Sequence, residues 1–298
     1  MRRGILTALA VAIAGFGAAG AAAADEGANW VEYLPPVESS RDVQPGPLPH
    51  CKKQTPKCID VVIRRLRNLR QRFGCDHRGV FATTYLVLTK TYRQTLREDP
   101  RLVDDRRYLY SEVTQFASFY FKTIRADERG ADLPEAWRIA LDTAQDGEVN
   151  GAQDMLLGIN AHVQNDMPFV IAALGLRTPD GRSRKPDHDV VNAVLESAYQ
   201  RVVDEVERRY DPMLSVTNPD GVPADDAAGL ELVRSWREGV WRNAERLANA
   251  KTEGERRQIA DEIEASAAEW ARGIASFQRP GERARRDAYC QAQLAGAG

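Results

Sequence analysis

The chain has 298 residues, 43% hydrophobic and 28% charged, with a formal net charge of −2 that becomes −4 without Arg2 and Arg3. That balance argues against a nucleic-acid partner, and the locally basic run from Arg64 to Arg72 reads as the wet face of a helix. Beyond the N-terminus no stretch approaches the roughly 20 apolar residues that cross a bilayer, so no transmembrane segment is expected in the mature chain.

Residues 1–24 read as a cleavable secretory signal of the Sec type: Arg2 and Arg3, an apolar run from Ile5 to Ala19, then small residues at Ala-x-Ala spacing. The protein is therefore expected to be secreted or extracytoplasmic. Residues 25–56 carry six prolines and little periodicity, which suits an extended N-terminal arm, with His50 solvated in it. From Ile59 the apolar positions Val62, Leu66, Leu69 and Phe73 recur at three and four residues, and Gly74 stops the helix.

A second helix is expected from about Val80 to Glu98, and a third from about Leu102 to Arg125. The third carries Tyr108, Tyr110, Phe116, Phe119, Tyr120 and Phe121, an aromatic set that reads as core. Pro134 opens a short helix through Ala144. The stretch from Gly151 to Leu174 is helical with a kink or restart at Pro168. A polar loop, Thr178 to Lys185, leads into a helix opened by Pro186. A longer loop covers Asp211 to Asp226, and two helices are expected near Ala227 to Ala250 and Gly254 to Phe277. No strand alternation appears, so the class is all-α: one orthogonal or bundle-like domain of about seven to eight helices over residues 57–290, with a flexible tail at 291–298.

Four cysteines in an exported chain favour two disulfides. A straight helix over 58–73 spans about 20 Å, too far for Cys58 to reach Cys75. The favoured pairing is Cys51 to Cys58 with Cys75 to Cys290; Cys51 to Cys75 with Cys58 to Cys290 stays open.

The most unusual stretch runs from Leu156 to Pro168. It is otherwise apolar, yet holds Asn160, His162, Asn165 and Asp166, groups that are costly to bury without partners. On a helix His162 and Asp166 share a face and can point at one ion or one water. Gly158, a turn earlier, leaves room for a substrate or a close helix. Two further polar clusters are Asp187-His188-Asp189 at a helix start and Cys75-Asp76-His77. His162, Asp166, His188 and His77 are candidate ligands of a divalent metal, zinc, iron or manganese. Asp187 or Asp189 would orient a ligand or act as general base, and Asn160 would position the substrate. Each has a plain alternative: Asp166 as an N-cap, Asp187 and Asp189 as partners of a helix dipole, His188 and His77 as structural or solvated groups. Serine-hydrolase, zincin, phosphate-loop and dinucleotide motifs are absent.

Gly158-Ile159-Asn160-Ala161-His162 followed by Asn165-Asp166-Met167-Pro168 resembles the Gly-x-Asn-Ala-His, Asp-Leu-Pro signature of an uncharacterised bacterial family, domain of unknown function 5995. Cys75-Asp76-His77, Asp189 with Val191-Asn192, and Trp241-Arg242 with Ala244 extend the resemblance. It implies a helical fold and brings no activity. Gly158, His162 and Asp166 are also similar to a fragment of the helical zinc-dependent phospholipase C and nuclease group, although four histidines exclude that group's trinuclear centre. Two functions follow: a secreted metal-assisted hydrolase with a His/Asp site, or a non-enzymatic secreted module binding a small-molecule or envelope ligand, in which the polar stretch is a buried structural network. A helical di-iron site is weaker, lacking the Glu-x-x-His pair.

Overall fold

The computed structural model describes residues 30–37, 51, 53–214 and 223–296, with side chains of 223–227 excepted; the expected signal segment and His50 lie outside the described residues. Helix α1 (Lys57–Phe73) buries Ile59, Val62, Leu66, Leu69 and Phe73, the stripe expected from their spacing, and Gly74 ends it at φ 56°. It packs on α2 (Arg78–Glu98), whose first half is buried on nearly every face. Helix α3 (Arg106–Asp127) starts later than the expected Leu102. Asp105 caps it by accepting from the Tyr108 N–H at 3.0 Å. Asp187 holds the preceding loop by accepting from the backbone N–H groups of Asp104 and Asp105 at 2.8 and 2.9 Å.

Helix α4 (Glu135–Asp146) ends at Gly147, φ 70°. Helix α5 (Gly151–Asn160) opens on a reciprocal capping box between Asn150 and Gln153. It continues without a break through a π-helical turn, Ala161–Asp166, into α6 (Met167–Leu174). The restart expected at Pro168 is this turn. Proline lacks an N–H and its ring clashes with the carbonyl four residues back, and the wider i→i+5 turn absorbs both. Helices α7 (Lys185–Tyr210), α8 (Pro223–Asn249) and α9 (Glu253–Ala275) follow, α9 opening on a second capping box, Thr252 with Glu255. A last helix, α10 (Glu282–Gly296), runs where the sequence reading gave an unassigned end and a flexible tail.

The fold is all-α. Counting 151–174 as one, the described residues form nine helices, and their only bridge is an isolated antiparallel pair, Arg177 with Ser183. Both favoured disulfides are present. Cys51–Cys58 clasps the start of α1, and Cys75–Cys290 ties the entry of α2 to α10, with Cα–Cα distances of 5.3 and 5.7 Å.

Part of the N-terminal arm is packed rather than extended. Trp30–Tyr33 forms a 3-10 turn whose rings lie on Phe119, with centroids 4.4 and 4.7 Å away. The buried Arg256 guanidinium donates to the Pro35 carbonyl behind it.

Gly158 is where a helix neighbour comes close. A Cβ there would sit 2.3 Å from Phe81 Cγ, because the Phe81 ring lies against the α5 backbone. Gly158→Ala should therefore cost about 1–3 kcal/mol through forced repacking. Gly273→Ala, with nothing within 4 Å of the new Cβ in α9, should gain about 0.4–1 kcal/mol. Urea midpoints of the two variants should move in opposite directions.

Candidate functional site

The stretch singled out by sequence is the centre of the molecule. Asp166 is 0% exposed and its two oxygens accept four hydrogen bonds. Trp30 Nε1 and Asn165 Nδ2 donate to Oδ1 at 3.0 and 2.9 Å, and Trp137 Nε1 and His162 Nδ1 donate to Oδ2 at 3.0 and 2.9 Å. A carboxylate offers about four lone-pair positions, and here protein donors fill them all. A metal on Asp166 would displace one of these donors.

Because Asp166 can only accept, Nδ1 of His162 carries the proton and Nε2 is left as a lone pair. Nε2 is buried without a partner. The ring is stacked on Phe116 at 3.6 Å between centroids and walled by Phe81, Tyr85, Tyr120 and Trp137 at 4.9 to 5.9 Å. Burial lowers the imidazole pKa and Asp166 opposes this.

Asn160 is consumed in the same knot. Its amide donates to the Ala267 carbonyl of α9 at 2.8 Å, and its oxygen accepts from Gln164 Nε2 at 2.6 Å. It ties helices together instead of facing an opening.

The remaining sequence candidates are not gathered around His162. His188 faces Arg237 of α8: Nε2 lies 3.2 Å from the Arg237 carbonyl, and the Arg237 guanidinium donates to the His188 carbonyl. Burial, then Arg237, holds the His188 pKa well below its ordinary value. Asp187 caps the loop before α3, and Asp189 pairs with Lys185 at 2.7 Å. His77 lies at the start of α2 beside Cys75–Cys290. Among the described residues no group of three or more His, Cys, Asp or Glu side chains is placed to hold a metal ion.

Two buried acids escaped the sequence reading. Glu112 sits on the Tyr108–Phe116 stripe of α3, and burial pushes its pKa up to about 7 against the pull of Arg237. A carboxylate at four-residue spacing between two aromatics is the signal that marks it. Asp154 lies one turn before Gly158 in α5, is 4% exposed, and faces the fully buried Arg286 at 2.8 Å. Burial raises its pKa to about 7, with Arg286 opposing.

Asp154 lines a small cleft between the start of α2, α4 and α5. The cleft is lined by His77, Arg78, Asp154, Phe81, Tyr120, Trp137 and small residues of α4 and α5, including Gly158. Its enclosed part measures about 10 Å³, close to the space one water requires. His77 Nε2 donates to Asp287 of α10 at 3.0 Å, which leaves Nδ1 as a buried lone pair without a partner. Asp154 Oδ1 is likewise unpartnered. Burial and then Arg286 hold the His77 pKa at about 4.

A family model described as a family of unknown function (DUF5995) matches residues 59–277. The chain belongs to this family. The DUF5995 match runs from α1 past α9 and takes in His162, Asp166, Glu112, Asp154 and His77, while Arg286 and Asp287 lie beyond it. No curated protein and no solved structure matches the chain, so the similarity to the zinc-dependent phospholipase C group finds no support there.

Two variants separate the roles of the buried charges. Asp166→Asn points an amide N–H₂ at other donors and should cost about 3–5 kcal/mol, whereas Trp30→Phe removes one bond to the carboxylate and should cost about 1.5–3 kcal/mol. Glu112 gives a pH signature. Its folded pKa lies above its ordinary value of 4.5, so the folded state binds the extra proton and stability declines as pH rises from about 4.5 through about 7. Glu112→Gln should remove that decline, a difference on the order of 3 kcal/mol in unfolding free energy between pH 4.5 and 7.5.

Proposed function

We propose that this protein acts outside the cytoplasm as a helical binding module for a small molecule, taken up in the cleft beside Cys75–Cys290. The polar stretch around His162 is a buried network in contact with the aromatic side chains that line that cleft. Export is supported by the N-terminal signal pattern and by two disulfides; no described helix is long and apolar enough to cross a membrane.

One observation carries the binding reading. Asp166 and Asn160 are occupied by protein partners, whereas two residues that line the cleft beside the aromatic wall, His77 and Asp154, each keep a buried polar atom without a partner, Nδ1 and Oδ1. An apolar wall with a few convergent polar groups is the usual make-up of a small-molecule site. A ligand whose one polar head enters the water-sized space while its flat apolar body stays at the opening suits it. Benzamide, tested by saturation-transfer NMR, should contact wild type and lose contact with Ala144→Trp, which fills the cleft. Equal contact with both proteins would place binding elsewhere.

A second reading, metal-assisted hydrolysis, rests on the free Nε2 of His162, since a carboxylate on the opposite nitrogen is how metal-bound imidazoles are commonly oriented. Elemental analysis of oxidised protein, purified without chelator, separates the two. The binding reading expects no stoichiometric zinc, iron or manganese, and a His162→Ala protein destabilised by a few kcal/mol through its unpaired partners. Near-stoichiometric metal that vanishes in His162→Ala would favour the hydrolase.

A further inference from the structure

We propose that the cleft is a metal-independent hydrolytic site for small carboxylic esters, with His77 as general base, Asp287 as its positioning residue and Asp154 as general acid. The proposal rests on the reading that this cleft takes the ligand. Three features of the geometry carry it. His77 has one nitrogen fixed by Asp287 at 3.0 Å and the other buried and free, in a residue that lines the cleft. A carboxylate that holds one imidazole nitrogen sets the tautomer and leaves the other as a base, the logic of catalytic His–Asp pairs. Asp154 is a second carboxyl group lining the same cleft, with an unpartnered oxygen. The enclosed space of about 10 Å³ holds the attacking water and little else, so an ester group approaches it from the side of Arg78, the one lining residue that is not buried.

The reaction balances without a metal or redox partner. The water oxygen forms a bond to the acyl carbon as its proton passes to His77 Nδ1. The tetrahedral intermediate collapses, the carbon–oxygen bond to the alcohol breaks, and the leaving oxygen takes the proton of Asp154. Protonated His77 then returns a proton to Asp154 through the next water.

The groups around the pair favour this division of labour. Arg286 faces both residues and Asp76 lies near both; Asp287 acts on His77 and Asp211 on Asp154. Arg78 is already paired with Asp76 at 2.6 Å and Asp127 at 2.9 Å, and Asp211 with Arg285 at 2.8 Å. Burial keeps His77 neutral above about pH 4 and Asp154 protonated up to about 7. A base and an acid pushed apart in this way are both in working form between those limits.

The test uses full-length, oxidised protein and p-nitrophenyl acetate. Ester turnover should be insensitive to chelator and give a bell-shaped kcat/KM profile with limbs near pH 4 and 7. His77→Gln should lose at least tenfold, and Asp154→Asn should lose rate together with the alkaline limb. Asp287→Asn should move the acid limb to lower pH, and His50→Gln should match wild type. Near-UV circular dichroism across the pH range shows that each protein is folded; if His77→Gln is not, the profile of Asp154→Asn decides. Turnover that survives His77→Gln unchanged, or lacks the bell, overturns the assignment. Calorimetry with the amide analogue p-nitroacetanilide keeps the two ideas apart: binding without ester turnover ends the hydrolytic proposal and leaves the binding reading, while neither binding nor turnover ends both.

Discussion

The structure depends on one buried carboxylate. Asp166 is fully excluded from water, a position that costs several kcal/mol unless the charge is met by donors. Four donors meet it, and they come from separate parts of the chain: Trp30 from the N-terminal turn, Trp137 from α4, and His162 and Asn165 from the π-helical turn. Bonds to an ionised acceptor are about twice as strong as neutral ones, and losing any one strands a polar group in an apolar interior. The central core, α4 and the arm are thereby held to a common point.

That constraint explains the local backbone. Asp166 precedes Pro168, whose ring forbids a regular α-helical hydrogen bond into the preceding turn. Widening the turn to a π-helix satisfies the proline and keeps His162 against Asp166 at 2.9 Å. Asn160, bonded to Ala267 and Gln164, anchors the start of the same turn to α9. The aromatic wall is then shared. Phe81, Tyr120 and Trp137 contact His162 on one side and line the cleft on the other, so the network that fixes the core also fixes one face of the opening.

Much of this was legible in the sequence. The apolar spacing of the main helices, the all-α class, the stop at Gly74 and the favoured disulfide pairing all follow from local pattern. So does the oddity of the 156–168 stretch, because four polar groups among apolar residues mark a buried network whatever its purpose. The partners were not legible. Trp30 and Trp137 lie 136 and 29 residues from Asp166, and no periodicity reports a contact at that range. Helix α10 was hidden for a different reason: it buries only Arg286 and Cys290, so it carries no apolar stripe and is held by the Arg286 hydrogen bonds to the Val149 and Tyr210 carbonyls and by a disulfide. Asp187 and Asp189 were visible as acids at a helix start, but a backbone-capping acid and a surface ion pair look the same in sequence as catalytic groups do.

The two His–Asp pairs share their residue types and differ in the surroundings of the carboxylate. Both pairs fix one ring nitrogen on a carboxylate and leave the other free. His162 is enclosed by five aromatic rings, and its carboxylate has no remaining capacity. A proton arriving there would sit in an apolar shell with no route out. The Asp287 side chain of the second pair keeps 38% exposure, His77 lines an opening, and a second acid lines it too. Proton transfer needs a partner and a path as well as a base, and of these two pairs it is the second that lies beside an opening and a second acid. The residue motif that dominates the sequence is therefore closed off in the core, while α2, α5 and the bridged α10 bring a second histidine and an acid to the same opening.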